Sequence, residues 1–245
     1  MPVNELISIL AVSFAAGIIQ GGTGFGYGIF SMALLPFFMD IRHASALLVF
    51  SSLTVNFVIF FRLRSFFRFD RLLPLVISAA LGVPAGVFFL TAADKNILLF
   101  ILGIILIAGA AASVFTLPGK NNEWHAYKAG IPFGLLSGIL HGAFAAGGPP
   151  TVVFINSQNF SRFRYAASVQ FVFGICTMLR GVFIGSAGIY TRQLVFIGMS
   201  SAVFSAAGVL LGLFVLSRLD DKKLKYIIAL FIVAVGIKNI TAFIL

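Results

Sequence analysis

The stretch Gly17-Ile-Ile-Gln-Gly-Gly-Thr-Gly-Phe-Gly-Tyr-Gly28 and its echo Gly138-Ile-Leu-His-Gly-Ala-Phe-Ala-Ala-Gly-Gly-Pro-Pro150 each interrupt a long apolar run. Within a bilayer, unpaired backbone polar groups cost several kcal/mol each, so broken helices persist only where they line a cavity walled by protein. Paired breaks at matching positions of two halves are typical of transporter binding sites. The two stretches therefore predict a transporter site built from both halves of the chain.

The composition indicates a membrane protein with several spans. Hydrophobic residues make up 60% of the chain, charged residues make up 10%, and the mean hydropathy is +1.08. The core of a soluble domain of 245 residues could not hide 29 phenylalanines together with so many aliphatic residues. The single cysteine excludes an intramolecular disulfide and a thiolate metal cluster.

Apolar runs and the turn residues between them predict an all-α protein of ten segments, five in each half. We expect repeats over residues 1–117 and 129–245, joined by a polar linker at 118–128. The halves also match at 81–86 and 207–212, where similar glycine-containing motifs recur. The predicted segments are 6–20, 24–38, 44–61, 72–90, 97–115, 129–143, 151–160, 166–189, 194–216 and 226–245.

The distribution of lysine and arginine distinguishes two topologies, because these residues collect in cytoplasmic loops. If each glycine cluster lay in one continuous crossing, the loop cations would divide evenly between the two faces. If each cluster is the tip of a hairpin, Arg42, Lys95 and Arg192 share one face and the other twelve loop cations share the opposite face. The hairpin topology therefore fits the rule. Its odd number of segments in each half predicts two inverted repeats.

The two hairpins have an expected geometry. Arms of about 10 to 16 residues would be about 15 to 24 Å long, which is short of a hydrocarbon core of about 30 Å. The hairpins would therefore be re-entrant or barely spanning, with tips that meet near the midplane. Helices that begin near Gly24 and Thr151 would direct unpaired N–H groups to this point, and such helix ends attract anions. Glycine also permits close helix packing, and this alternative stays open for each individual glycine.

Arg180 lies inside an apolar run, where an arginine costs on the order of 2.5 to 3.5 kcal/mol. We expect it to face a partner or a cavity, although it could also extend toward the outer interface. The corresponding stretch of the first half, near Asn56, carries a neutral amide. The predicted substrate-binding residues are Gln20, Gly21, Gly22, Thr23, Gly24, Gly26, Asn56, His141, Gly142, Gly147, Gly148, Pro149 and Arg180.

The placement of the charged residues favours an anionic substrate. All seven acidic residues fall in loops or at segment ends, whereas cation carriers and proton pumps typically use buried carboxylates. His141 is the one intramembrane group that titrates near neutral pH, so it is a candidate either for proton coupling or for hydrogen-bond donation alone. The basic run at 62–71 indicates a loop at anionic lipid headgroups rather than a nucleic-acid surface.

These motifs give the chain a family resemblance. The duplicated apolar halves, Gly17-x-x-Gln-Gly-Gly-Thr-Gly-Phe-Gly26, and Gly138-x-x-His-Gly142 with Gly147-Gly-Pro-Pro150 resemble the TauE/SafE group of sulfite exporter-like permeases. The resemblance implies an anion permease of the bacterial inner membrane that moves sulfite, sulfoacetate or a related organosulfonate. Alternating access is the expected mechanism. A carboxylate or a phosphate would suit the same donors.

Two other classes of function stay open. An intramembrane enzyme would need a nucleophile and a base, or a metal cluster, at one depth, and His141 has no acidic neighbour in sequence. We therefore expect no enzyme, cofactor or metal site. A non-transporting membrane partner or assembly protein needs no cavity, so a dry, filled interface at the tips would favour it. The expected partners are a small anionic solute and membrane lipid, without nucleic acid, and the chain would act as a monomer or a homodimer.

Overall fold

The computed structural model describes residues 2–114, 126–215 and 221–244. Within these ranges the chain is helical and contains no strand, which confirms the all-α fold. Two 3-10 turns, Leu35–Phe37 and Arg64–Phe66, extend the second and third helices. The helices are α1 (Val3–Thr23), α2 (Tyr27–Leu34), α3 (Ile41–Leu63), α4 (Leu73–Ala92), α5 (Lys95–Val114), α6 (Ala126–Phe144), α7 (Gly148–Ser157), α8 (Arg162–Ser186), α9 (Arg192–Val215) and α10 (Asp221–Ile244).

Several of these helices have the length and composition of membrane spans. Five are long and apolar enough to cross a membrane: Val3–Thr23, Ile41–Phe66, Leu73–Ala92, Arg162–Ser186 and Arg192–Phe214. Shorter apolar helices cover Tyr27–Phe37, Lys95–Ala111 and Ile232–Thr241. The protein is therefore a multi-pass membrane protein.

The predicted linker 118–128 lies mostly outside the described residues. Its last three residues belong to α6, which begins at Ala126. No glycine or proline separates these three residues from the apolar run, so the helix extends back into the polar sequence.

The helix after the first tip begins later than predicted. Gly24 and Gly26 have φ angles of 83° and 109°, a left-handed conformation that a right-handed helix cannot contain. Gly24 therefore ends α1, and its N–H donates to Gln20 O at 2.8 Å. The prediction of a helix start near Gly24 is wrong, because α2 begins only at Tyr27.

The helix after the second tip begins earlier than predicted. It starts at Gly148 rather than near Thr151, because Pro149 and Pro150 fit the first helical turn, where the backbone needs no N–H donor. The first turn of α7 consequently contains two residues without an amide proton. The two tips therefore differ in the number of N–H groups that they present.

The hairpin arms are less equal than predicted. The arms that lead into the tips, α1 and α6, have 21 and 19 residues, whereas the return arms α2 and α7 have 8 and 10. The prediction of about 10 to 16 residues is therefore wrong for α1 and α6. The return arm through α2 falls within the predicted range once its 3-10 turn is included, as Tyr27–Phe37. At 1.5 Å per residue, α1 is about 31 Å long and could span a hydrocarbon core alone. It is longer than predicted at both ends, because it begins at Val3 and because Gly21, Gly22 and Thr23 remain helical.

Two helix pairs bring the halves together through small residues. A Cβ on Gly17 of α1 would lie 2.5 Å from Ser205 O of α9, and a Cβ on Gly82 of α4 would lie 2.5 Å from Leu135 O of α6. Backbones that approach this closely exclude any larger side chain. The packing alternative therefore describes these glycines correctly.

The contacts also give the relative directions of the helices. Gly17 and Gly21 of α1 face Ser205 and Val209 of α9, so these helices run parallel. The same register holds for α4 and α6, where residues 82 and 86 face 135 and 139. By contrast, α3 and α8 run antiparallel, because Ser45 contacts Arg180 whereas Asn56 contacts Thr177.

Candidate functional site

Gln20, in the last turn of α1, organises the first tip. Its Oε1 accepts a hydrogen bond from Tyr27 N–H at 2.9 Å. Its Nε2 donates to Asn56 Oδ1 at 3.1 Å and to Gln170 Oε1 at 3.0 Å. Gln170 in turn donates from Nε2 to Gly24 O at 2.7 Å. A single buried side chain thus joins the start of α2 to α3 and α8.

The hydrogen-bond chain continues from Asn56 into the second tip. Asn56 Nδ2 donates to Thr177 Oγ1 at 3.4 Å, and Thr177 Oγ1 lies 2.9 Å from His141 Nε2. Asn56 and Thr177 are 121 residues apart, and the same offset relates Gln20 to His141. The hydrogen-bond chain therefore joins positions that are related by one constant sequence offset, and the residue at this offset from Asn56 is Thr177 rather than Arg180.

The two tips touch each other directly. A Cβ on Gly28 of α2 would overlap the carbonyl oxygen of Ala145, which follows α6. Ala145 has a φ of 54° and is the counterpart of Gly24, which has a φ of 83°. Both incoming helices thus end in a left-handed residue. The structure brings the tips together as predicted, and their depth in the bilayer stays a prediction.

A cavity of about 10 Å³ lies where the tips meet. This volume is close to the smallest that holds one water molecule. Among the described residues, no aspartate or glutamate contributes to its wall. The lining residues are Gln20, Gly26, Tyr27, Gly28, Ile29, Ser52, Asn56, His141, Ala145, Gly148 and Phe173.

Five of the predicted substrate-binding residues line this cavity, namely Gln20, Gly26, Asn56, His141 and Gly148. The others lie around it. The predicted residues outside the lining are Gly21, Gly22, Thr23, Gly24, Gly142, Gly147, Pro149 and Arg180.

The predicted residues outside the lining shape the tips and their packing. A Cβ on Gly21 would lie 2.5 Å from Val209 O of α9, and one on Gly142 would overlap Val83 O of α4. The Thr23 hydroxyl lies 2.8 Å from Ile19 O and 2.6 Å from Phe25 O, so it closes the turn after α1. Each of these contacts holds a tip in place, and a role of these residues in solute binding stays a prediction.

Three further predicted residues lie at the end of α1 or directly before α7. Gly24 accepts the hydrogen bond from Gln170, and Gly147 O accepts one from the Ser137 hydroxyl at 2.8 Å. Gly22 lies half-buried in the last turn of α1.

Arg180 is fully buried, and oxygens of neighbouring helices surround its guanidinium. Nε donates to Gly142 O at 3.2 Å, and Nη2 donates to the carbonyl and hydroxyl oxygens of Ser45. The Ser45 hydroxyl donates to Ala143 O at 2.7 Å. Gly142 and Ala143 lie in the last turn of α6, where helix carbonyls lack intrahelical partners. Arg180 and Ser45 therefore cap the end of α6.

The charge of Arg180 is thus directed at a helix end, where a cation is also favoured by the helix dipole. Arg180 Nη1 has no hydrogen-bond partner in the described part of the chain. That Arg180 supplies charge to a bound solute stays a prediction.

Sequence reasoning missed several residues that this geometry brings to the site. Gln170 and Thr177 lie on the unbroken helix α8, so no glycine cluster points to them. The offset of 121 residues, applied to Asn56, would have found Thr177. Tyr27 is also buried at the tip, and its hydroxyl lies 2.7 Å from the Ser205 hydroxyl of α9.

The described residues at the site do not provide a set of metal ligands. Among the described residues, no group of three histidine, cysteine, aspartate or glutamate side chains lies close enough to hold a metal ion. The free Cys176 is buried in α8. The polar groups at the tips are amides, hydroxyls, one imidazole and backbone N–H groups, which suit hydrogen bonding to a solute.

Comparison with known proteins identifies a family. No curated protein and no solved structure matches the chain. A family model described as "Sulfite exporter TauE/SafE" matches residues 9–239, which include both tips and the whole of α2 to α9. The chain therefore belongs to the TauE/SafE sulfite exporter family of membrane transporters.

Proposed function

We propose that this protein is a permease for a small anion, namely a sulfur-containing oxyanion or organosulfonate such as sulfite or sulfoacetate. The solute binds between the two tips, and the protein exposes it alternately to the two sides of a bacterial inner membrane. Family membership supports transport, and the chemistry of the tips supports an anion.

The donors around the cavity are the observation that carries the proposal. Helix geometry leaves the first N–H groups of α2 without carbonyl partners, and Gly28 and Ile29 of that turn line the cavity. His141 also lines it, and Nδ1 of this buried imidazole has no hydrogen-bond partner among the described residues. Because no carboxylate of the described part of the chain lines the cavity, an anion is the solute that these groups favour.

The directions of the helices support alternating access. The third helices of the two halves, α3 and α8, run antiparallel, as inverted repeats require. The last helices, α5 and α10, do the same, because Gly103 faces Ile240 whereas Gly236 faces Ile107. Two such halves can rock against each other about the hydrogen-bond chain at their boundary.

The size of the cavity requires such a movement. Sulfite has four non-hydrogen atoms, whereas a cavity of about 10 Å³ suits one water molecule at most. The tips must therefore separate before sulfite binds. Gly28 and Ala145, which are in contact in this structure, mark where the separation has to occur.

The small cavity also favours a second candidate, a membrane partner or assembly protein that moves no solute. A permease for a carboxylate or another small solute is a further alternative, because carboxylate oxygens accept the same hydrogen bonds. Flux measurements distinguish all three functions.

The experiment is a flux assay with the purified protein in lipid vesicles. Radiolabelled sulfite should equilibrate across the membrane faster than in protein-free vesicles, with saturable kinetics. Unlabelled sulfoacetate, thiosulfate, acetate and phosphate are then added as competitors, and the strongest competitor identifies the preferred solute class. Thermal unfolding in detergent with the same anions provides an independent measure of binding.

Gly174→Ala is a suitable control variant, because a Cβ at this position would meet no atom within 4 Å.

Preferential movement of acetate would assign a carboxylate permease instead. If no anion moves and none raises the unfolding temperature, the transport proposal is wrong and the second candidate replaces it.

A further inference from the structure

The direction of the hydrogen-bond chain between the tips is fixed by the backbone at Tyr27. The Tyr27 N–H can only donate, so the Gln20 atom 2.9 Å away must be the carbonyl oxygen Oε1. Gln20 Nε2 is then a donor toward Asn56 and Gln170. A flipped Gln20 amide would set two N–H groups against each other.

A second backbone group fixes the same direction independently. Gly24 O can only accept, so the Gln170 atom 2.7 Å away must be Nε2. Gln170 Oε1 therefore faces Gln20 and accepts from its Nε2 at 3.0 Å. Two anchors on different segments of the chain thus require one orientation of the Gln20 amide.

The same direction continues to His141. Asn56 uses Oδ1 to accept from Gln20, so its Nδ2 donates to Thr177 Oγ1. Thr177 is fully buried, and its hydroxyl proton needs an acceptor. Within the described residues, His141 Nε2 at 2.9 Å is the group positioned to accept it. An Nε2 that accepts carries no proton, so the proton of the neutral ring is on Nδ1.

We infer that these hydrogen bonds hold His141 as the neutral tautomer with its proton on Nδ1. We also infer that this Nδ1–H group donates to the anion between the tips. Gln170 and Thr177 are then positioning residues, which act on the solute through Gln20 and His141. The inference rests on the proposed function. It assigns His141 to solute recognition rather than to proton coupling, because its Nε2 is already engaged by Thr177.

Besides the hydrogen-bond chain, two observations support a ligand at His141 Nδ1. This atom has no hydrogen-bond partner among the described residues, and the whole of His141 is buried, with only 3% of its surface exposed. The residue also lines the cavity beside the first turn of α2. The unpaired Nδ1 atom and the first N–H groups of α2 thus belong to residues that line one small space.

Nitrogen NMR tests the tautomer directly. The protein is labelled with ¹⁵N in its histidine rings, and His43 and His125 are replaced with Gln so that His141 gives the remaining ring signals. Protonated and unprotonated ring nitrogens have well-separated shifts. We expect a protonated Nδ1 and an unprotonated Nε2 in detergent at neutral pH. If that variant does not fold, the His141 signals are identified in the otherwise unchanged protein by their loss in His141→Asn. A protonated Nε2 overturns the inference.

Thr177 variants test the positioning role. Thr177→Val removes the hydroxyl, so both tautomers should be populated and the affinity for sulfite should fall at least fivefold. Thr177→Ser restores the hydroxyl and should restore the wild-type spectrum and affinity. An unchanged ring spectrum in Thr177→Val would show that Thr177 does not select the tautomer.

Variants of His141 test the donor itself. The amide nitrogen of Asn can occupy the position of Nδ1, whereas that of Gln reaches the position of Nε2. His141→Asn should therefore bind sulfite more tightly than His141→Gln, and the reverse order contradicts the donor role. Sulfite flux with a protonated Nε2 would overturn this inference alone. A protonated Nδ1 without flux of any anion would overturn the proposed function, and the donor role with it.

Discussion

Gly28 lies so close to Ala145 that a Cβ on Gly28 would overlap the Ala145 carbonyl oxygen. Gly28 belongs to the first turn of α2 and Ala145 to the turn after α6, so this contact joins the two tips backbone to backbone. Both residues line the same cavity as Gln20 and His141. A movement that enlarges the cavity must therefore begin by separating these two residues.

Replacing Gly28 with Ala should damage both stability and transport. The added methyl would meet backbone, which cannot rotate away as a side chain can, so the free energy of unfolding should fall by about 1–3 kcal/mol. Sulfite flux should fall at least tenfold because the tips can no longer close. Thermal unfolding in detergent and vesicle flux measure the two effects. Gly174→Ala should show neither loss, and a Gly28→Ala protein as stable as the wild type would show that the contact is not tight.

Gly24→Ala should measure the backbone cost of the first tip almost alone. A Cβ there would have only ordinary contacts, at 3.7 Å from the Tyr165 ring and 3.9 Å from Ala166 Cβ. The φ of 83° remains unfavourable for Ala, so the loss should be about 1–2 kcal/mol. Gly24→Asn should lose less, because Asn tolerates left-handed backbone better. Equal losses for Ala and Asn in chemical denaturation would point to steric rather than conformational strain.

Arg180→Lys should separate the capping role of Arg180 from its charge. Lysine keeps the charge but loses the fork that reaches Gly142 O and Ser45 together. An unpaired buried carbonyl costs about 1–3 kcal/mol, so we expect a less stable protein with reduced flux. Wild-type stability and flux in Arg180→Lys would contradict the capping role.

Arg42→Lys is the matched control for that experiment. The Arg42 guanidinium likewise donates to carbonyls at a helix end, Leu90 O at 3.1 Å and Ala93 O at 2.6 Å. These carbonyls end α4, whereas Arg180 contacts the end of α6, which leads into the second tip. Arg42→Lys should therefore lose stability without a change in the affinity for sulfite.

The ion pair between Asp70 and Arg164 should make stability depend weakly on pH. Arg164 Nη2 donates to both Asp70 carboxylate oxygens at 2.8 Å, and these hydrogen bonds hold the pKa of Asp70 below its usual value. The stabilisation is present above the unfolded-state pKa of about 4 and is lost as pH falls through the lowered pKa. Because Asp70 is exposed, the effect should stay below about 1 kcal/mol.

Chemical denaturation of wild type and Asp70→Asn at pH 7 and pH 3 tests this expectation. The two proteins should differ at pH 7 and converge as the carboxylate is protonated. High salt should reduce the difference at pH 7, since the pair is accessible to ions. A difference that grows toward acid pH would contradict the assignment.

The sequence was sufficient to predict the number and type of helices, because apolar runs and turn residues mark them directly. It was not sufficient to predict where α2 begins. Gly21 and Gly22 are helical, whereas Gly24 and Gly26 are left-handed, and composition does not distinguish these two uses of glycine. The contact between Gly21 and α9 does distinguish them, and that contact exists only in the folded protein.

The candidate site was likewise only partly predictable from the sequence. Gln20 and His141 were identified because each stands inside a glycine cluster, and both line the cavity. Gln170 and Thr177 were missed because α8 is continuous there. The offset of 121 residues from Asn56 points to Thr177, whereas Gln170 is revealed by its tertiary contacts with the first tip. Arg180 was identified from its cost in the membrane, but the identity of its partners, Gly142 and Ser45, depends on how α3, α6 and α8 pack.

Pro149 and Pro150 make the two tips chemically unequal. The α2 end of the cavity offers amide protons, whereas α7 opens with pyrrolidine rings in their place. In the proposed permease, a solute with a sulfonate group and a hydrocarbon part would bind with the sulfonate group toward α2 and the hydrocarbon part toward α7. Sulfite has no hydrocarbon part, so in the proposed permease the same two tips would hold sulfite and an organosulfonate in different ways.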